Sequence, residues 1–206
     1  MKKVFVVGCQ TSYARWIYDS TLVDNIEDAD IVLFTGGEDV DPSLYGAKAH
    51  DSVWSNPTRD EFEVNTFKKI KTTQLAVGIC RGLQLFNVLN GGTLVQDVNN
   101  HWISDTHEIH NELNRYEIKS LHHQMVYPFN LNPEHYKILY WTKRRSTHYY
   151  GEDIDADQFD IFGEPEVVYY CTPGLPKCLG IQGHPEMMRS DSAVVVMLND
   201  LLNNLL

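Results

Sequence analysis

The sequence has few cysteines, a shortage of positive charge and no long apolar run, and each shortage closes off a class of protein. Its four cysteines, Cys9, Cys80, Cys171 and Cys178, are scattered without a C-x-x-C pair. That excludes a zinc knuckle and a thioredoxin-type motif and leaves reduced thiols as the default. With Lys and Arg at 17 against Asp and Glu at 28, the formal net charge is −11. Neither nucleic acid nor an anionic membrane is then expected as a partner, because both reward a basic face. The one basic cluster, Lys143-Arg144-Arg145, reads as a solvated loop. After Met1-Lys2-Lys3 the apolar run 4–7 is too brief for a signal-peptide core or a membrane span, which predicts a cytoplasmic protein. There is no internal repeat, and 206 residues suit a single domain, 1–206, with a sizeable core.

What is present is strand and helix in alternation. Residues 4–7 read as a buried strand closed by Gly8, and 13–18 as a short helix that Ser12 can cap. Residues 31–34 form a second apolar strand, ending in Thr35-Gly36-Gly37-Glu38-Asp39, whose bare backbone can turn tightly and present N–H groups. A loop over 40–56 precedes an exposed helix over 60–71, with a modest stripe of Phe62, Phe67 and Ile70. Residues 74–92 run from a strand through Cys80 into an apolar helix stopped by Gly91-Gly92. The second half is richer in strands, at 116–119, 137–142, 166–171 and 178–182. The last two pair as a hairpin about Pro173-Gly174-Leu175-Pro176. A closing helix over 192–206 is capped by Ser190 or Asp191. This pattern predicts an α/β fold of three layers, a mostly parallel central sheet with helices on both faces and a β-rich second half. In such sheets the crevice lies at the carboxyl ends of the strands, which would set Gly37 and Cys80 across from one another.

Gly78-Ile79-Cys80-Arg81-Gly82 has the G-x-C-x-G form of a nucleophile elbow. A sharp strand-to-helix turn strains the nucleophile and needs small residues on both sides, and a helix N-terminus favours a thiolate. Alone, the same residues could be a buried structural cysteine between incidental glycines. A cysteine nucleophile also needs a base and a group that orients the base. His184 and Glu186, two apart around Pro185 after a strand, are the leading candidates, although an H-P-E turn without a role reads the same way. His107-Glu108-Ile109-His110 invites a metal, but H-E-x-H lacks the one-turn spacing of H-E-x-x-H, so no metal ligand and no cofactor is assigned. Asp153, Asp155, Asp157 and Glu164 imitate a calcium loop, but Gln158 replaces its glycine, and a solvated acidic loop is expected instead.

Taken together, the elbow, Asn87 through Asp97, Gly36-Gly37-Glu38-Asp39-Val40-Asp41-Pro42, Arg59-Asp60, His107 through His110, His122-His123-Gln124 and Gly180 through Glu186 resemble the class I glutamine amidotransferase-like family. Within it, they are most similar to the γ-glutamyl hydrolases acting on amides such as γ-glutamyl-γ-aminobutyrate. The resemblance implies a flavodoxin-like fold and a triad of Cys80, His184 and Glu186, with oxyanion donors at the backbone N–H groups of Gly37 and Arg81. It implies substrate contacts from Gln84, with a helix-face glutamine as the plain alternative, and from His122 or His123, which could equally just top a strand. Some stretches depart from the family. The region before Thr35 is short, so a helix there is missing or truncated; Gly183 replaces a bulky residue and could open the crevice beside His184. Ser120-Leu121 stands where Asn-Ser is usual, and 149–163 looks like an insertion.

The implied activity is hydrolysis of a γ-glutamyl C–N bond, in glutamine or a small-molecule γ-glutamyl amide, through a thioester. An alternative is a glutaminase subunit passing ammonia to a separate synthetase partner. A third is a binding module that has lost catalysis, which the intact Cys80, His184 and Glu186 disfavour.

Overall fold

A computed structural model describes residues 1–8 and 10–206, apart from the side chain of Ser104, so Cys9 lies outside the described residues. In chain order the strands are β1 (Lys2–Val7), β2 (Ser20–Leu22), β3 (Ile31–Phe34), β4 (Leu75–Ile79), β5 (Thr93–Val95), β6 (Asp97–Val98), β7 (Trp102–His110), β8 (Arg115–Leu121), β9 (Met125–Tyr127), β10 (Tyr136–Thr142), β11 (Tyr149–Tyr150), β12 (Glu164–Tyr170) and β13 (Lys177–Ile181). The α-helices are α1 (Pro57–Phe67), α2 (Arg81–Leu89), α3 (Asp157–Phe162) and α4 (Ala193–Leu205).

Nine strands form one sheet in the order β2-β1-β3-β4-β13-β12-β10-β7-β8. From β2 to β13 every pairing is parallel, and from β13 to β8 every pairing is antiparallel. The continuous apolar runs of β3 and β4 are buried at every position, as strands covered on both faces must be. Alternate residues point to opposite faces. Ile31, Leu33, Val77 and Ile79 pack with Val194, Val195, Leu198 and Leu202 of α4 on one side. Val32, Phe34 and Ala76 pack with Leu83, Leu85 and Phe86 of α2 and Phe67 of α1 on the other. The expected three layers are therefore present, with β12 and β13 paired as the expected hairpin. No helix among the described residues is long and apolar enough to cross a membrane.

Local differences have physical causes. Residues 13–18 do not form a helix: the chain makes a 3-10 turn over Thr11–Ala14 with no side-chain cap, and Trp16 and Ile17 are drawn into the core instead. The helix expected over 60–71 starts at Pro57, where Asn56 accepts a hydrogen bond from Arg59 N at 3.2 Å. Its buried face carries Asp60 and Glu63, and Phe62 is exposed. The last helix follows Ser192, whose side chain makes no capping bond, so neither Ser190 nor Asp191 caps it. The 149–163 segment is more than a solvated loop. Asp153, Asp155 and Asp157 are exposed, but Tyr149, Ile154 and Phe159 pack in a third apolar cluster with Val95, Val98, Met125 and Tyr127.

Candidate active site

Strand β4 runs directly into Cys80, which has φ 51° and ψ −104°, and α2 begins at the next residue. Such a positive φ is costly for a residue with a side chain and persists only where the surroundings impose it. They do so here. A Cβ on Gly78 would stand 2.5 Å from the Gly82 carbonyl carbon, and one on Gly82 would stand 2.7 Å from the Phe34 carbonyl oxygen. Cys80 N donates to Ile181 O at 2.7 Å and Gln84 N to Cys80 O at 3.2 Å, so strand and helix both grip the turn. The thiol is 6% exposed, with Gln182 Nε2 3.7 Å from its sulfur.

His184 follows β13 and enters a 3-10 turn over Pro185–Met187, with its own N–H donating to Lys119 O at 2.9 Å. Its Nδ1 donates to Glu186 Oε1 at 2.7 Å, and both side chains are buried. That bond fixes the tautomer and leaves Nε2 for the thiol. Cys80 is near enough to act on the ring. Burial works against charge on His184 but is outweighed by hydrogen bonding to Cys80 and Glu186 and by their negative charge, so its pKa rises from 6.5 to about 10.

The turn after β3 closes the third side. A Cβ on Gly36 would lie 3.3 Å from His184 Cε1 and 3.6 Å from Cys80 Cβ, so this turn, the elbow and the H-P-E turn meet. Gly37 has φ 142°, and a Cβ there would fall 2.1 Å from Arg59 Nη1. Arg59 holds the turn, with Nη2 donating to Gly36 O at 2.9 Å, Nη1 to Glu38, and Nε to Glu63 Oε1 at 2.8 Å. The Arg81 side chain is fully buried and paired with Asp60 and Glu63, while its backbone opens α2, where N–H groups lack intrahelical acceptors. Tyr13 also reaches the site: its hydroxyl is 3.0 Å from a Cβ placed on Gly36. Burial, then the charges of Glu186 and Cys80, push its pKa up to about 12.

A cavity of about 480 Å³ opens over these groups, with Cys80, Gly37, Gln84, His122, His123 and His184 in its wall. Gln84 is buried and its Nε2 donates to Gln124 O at 2.9 Å. His122 is buried, with Nδ1 2.9 Å from Gln124 O; burial, reinforced by neighbouring histidines, holds its pKa well below the usual value. His123 lies between Asp39 Oδ1 at 3.1 Å and Asp97 Oδ1 at 3.3 Å, and its hydrogen bond to Asp39 raises its pKa despite partial burial. Arg59, Trp54 and Trp102 also line the cavity; of these Arg59 belongs to a stretch that carries the resemblance, whereas the exposed Trp54 and Trp102, like Tyr13 beside Gly36, carry no sequence signal of their own for this site.

Gly183 does not open the crevice. A Cβ there would lie 2.8 Å from the Ile118 side chain and 2.9 Å from Lys119 O, so β8 already fills the space. His107 and His110 diverge: His107 is buried with Nε2 2.9 Å from Glu166 Oε1, and His110 packs on Trp141. Glu164 is fully buried against His101 and Tyr149, away from any calcium loop.

The sequence pattern of the family described as Peptidase C26 matches residues 16–126, more than half of the chain. A glutamine amidotransferase-like protein of Lactococcus lactis subsp. cremoris, the YvdE homolog, is 45% identical over 71 residues, 34% of this chain and 38% of that protein. Protein NtpR of Enterococcus hirae is 27% identical over 175 residues, 82% of this chain and 71% of that protein. The chain thus spans little more than a third of the Lactococcus relative's length. Among solved structures, PurLQS of Thermotoga maritima is similar with a TM-score of 0.54 at 16% identity, covering 100% of both chains. A glutamine amidotransferase of the same organism gives 0.53 at 14%, covering 98% of this chain and 84% of that one. At these identities the likeness is one of fold, the class I glutamine amidotransferase fold.

Proposed function

The chain belongs to the Peptidase C26 family, whose members are hydrolase-type enzymes, and on that premise we propose that it hydrolyses a γ-glutamyl C–N bond in glutamine or a γ-glutamyl amide. The observation that carries the reading is a strained, buried Cys80 beside a histidine already locked to Glu186 at 2.7 Å. In this reading the Cys80 thiolate attacks the γ-carbonyl carbon, forming the S–C bond. The N–H groups of Gly37 and Arg81 meet the charge on the carbonyl oxygen, each worth roughly 3 kcal/mol in the transition state. The C–N bond then breaks, and the imidazolium of His184 gives its proton to the departing nitrogen, leaving a thioester. Water attacks the thioester while His184 takes one of its protons, the S–C bond breaks, and free glutamate leaves. Glu186 keeps the ring oriented throughout. Since Gln84 commits Nε2 to Gln124 O, its Oε1 remains to accept from the substrate's α-ammonium group. His122 and His123 line the remainder of the pocket.

One panel of glutamine, γ-glutamyl amides and γ-glutamyl peptides, assayed for ammonia or amine release, tests the reading. Unaided turnover on at least one substrate, lost at least about a thousandfold in Cys80→Ala with the circular dichroism unchanged, is expected. Undiminished turnover in that variant would refute the mechanism. Turnover that appears only when a synthetase subunit is added would favour ammonia delivery, and none under any condition a binding module.

A further inference from the structure

Near the point where β8 meets the end of β13, through the 2.9 Å bond from His184 N to Lys119 O, a group of buried side chains reaches the cavity wall at His122. The hydrolysis does not use it as a group. His101 precedes β7, His122 follows β8 and Glu166 lies on β12, with exposures of 0%, 3% and 1%. One nitrogen or oxygen from each lies within 4.8 Å of the others. His101 Nδ1, His122 Nε2 and both Glu166 oxygens have no hydrogen-bond partner.

The opposite ring nitrogens are held. His101 Nε2 is 2.8 Å from Glu164 Oε2, and His122 Nδ1 is 2.9 Å from Gln124 O. A carboxylate or a carbonyl on one nitrogen, with the other left bare, is how proteins aim histidine at a metal. Glu166 Oε1 sits 2.9 Å from His107 Nε2, at ion-pair distance though not aligned as a hydrogen bond, which leaves Oε2 for another partner. A self-contained buried polar network would join these bare atoms to one another, because buried polar groups are otherwise almost always paired. Here one such atom from each of the three residues lies within 4.8 Å of the others, with no hydrogen bond between them.

We propose that His101, His122 and Glu166 bind a single divalent transition-metal ion of the zinc type. Two imidazoles and one carboxylate suit such an ion, whereas calcium and magnesium prefer all-oxygen sets. The three residues come from three separate places, before β7, after β8 and on β12, so no sequence spacing announces them. The site anchors the backbone behind the pocket wall and stands independently of the hydrolase reading.

The test is dialysis of chelator-treated protein against Zn²⁺ and Co²⁺ with metal counting. One ion per chain is expected, with visible cobalt bands. His101→Ala and Glu166→Gln should weaken binding at least about 100-fold, and Glu164→Gln, acting through His101, by roughly 10- to 100-fold. His148→Ala should bind normally, since that ring pairs with Asp97 and lies outside the group. If the variants fail to fold, ring ¹⁵N resonances of the wild type supply the readout: Zn²⁺ should shift those of His101 and His122 and spare His148. A wild type that binds no ion, or ion binding that leaves His101 and His122 unshifted, would overturn the proposal.

Discussion

On His184, burial disfavours charge, but hydrogen bonds to Cys80 and Glu186 and the charges of both raise its pKa from 6.5 to about 10. A folded-state pKa raised above the unfolded value stabilises the protein fully below about pH 6.5, and that contribution is lost as the pH climbs through about 10. If the imidazolium is the acid that releases the amine, kcat/KM should fall on the alkaline side near that value. Glu186→Gln removes one source of the elevation, so its alkaline limb should move to lower pH and its thermal midpoint should fall less between neutral and alkaline pH than the wild type's. Coincident limbs would separate Glu186 from the base. Gly183 makes the opposite case, a residue whose reading depended on a neighbour from elsewhere in the chain. Gly183→Ala should cost roughly 1–3 kcal/mol in urea denaturation, because the new methyl meets both Ile118 and the Lys119 carbonyl. Adding Ile118→Ala should not rescue it, since the carbonyl remains and a fully buried core side chain is lost. Cys80 was legible because a strained turn demands glycine on both sides. Arg59 was legible as part of a motif but not in its role, and Tyr13 not at all, because their contacts to Gly36 are made only when distant stretches fold together.

At the scale of elements, α1 and α2 are joined by charge. Arg81 is buried at the start of α2 and paired with Asp60 and Glu63 on the inward face of α1, while Glu63 also receives Arg59 Nε at 2.8 Å. The same helices therefore place the elbow and, through Arg59, the turn at Gly37. Removing one partner of a buried ion cluster leaves the others uncompensated. Arg81→Met should destabilise by about 3–5 kcal/mol in chemical denaturation, and Glu63→Gln added to it should restore part of the loss. A loss under about 1 kcal/mol, the value of a surface pair, would mean the cluster is solvated. This face was invisible to periodicity, which looks for apolar residues and found Phe62, one of the exposed ones. Strand β7 was overlooked for a related reason: its inward positions include His107 beside Ile109, and a buried histidine breaks the alternation that marks a strand. The uninterrupted apolar runs of β3 and β4 posed no such problem.

Over the whole molecule, the parallel half was readable because each strand is followed by a turn and a helix or a helix-like connection, whereas the antiparallel half depends on pairings that polar inward residues conceal. The 149–163 segment shows how the halves are coupled. Phe159 stacks on Tyr149 at 4.5 Å, β11 pairs Tyr149 with Val98 and Tyr150 with Asp97 of β6, and Asp97 holds His123 in the cavity wall. Cys80, His184 and Glu186 stand instead beyond the ends of β4 and β13, and Cys80 belongs to the cluster shared with α4. A cavity made beneath the segment should therefore disturb how substrate is held more than how the bond is broken. Phe159→Ala, costing about 3–5 kcal/mol of local packing, should raise KM several-fold and leave kcat within about a factor of two. Equal losses in kcat and kcat/KM would show that the packing beneath 149–163 reaches the thiol and its histidine as well, and the division between a chemical half and a holding half would not stand.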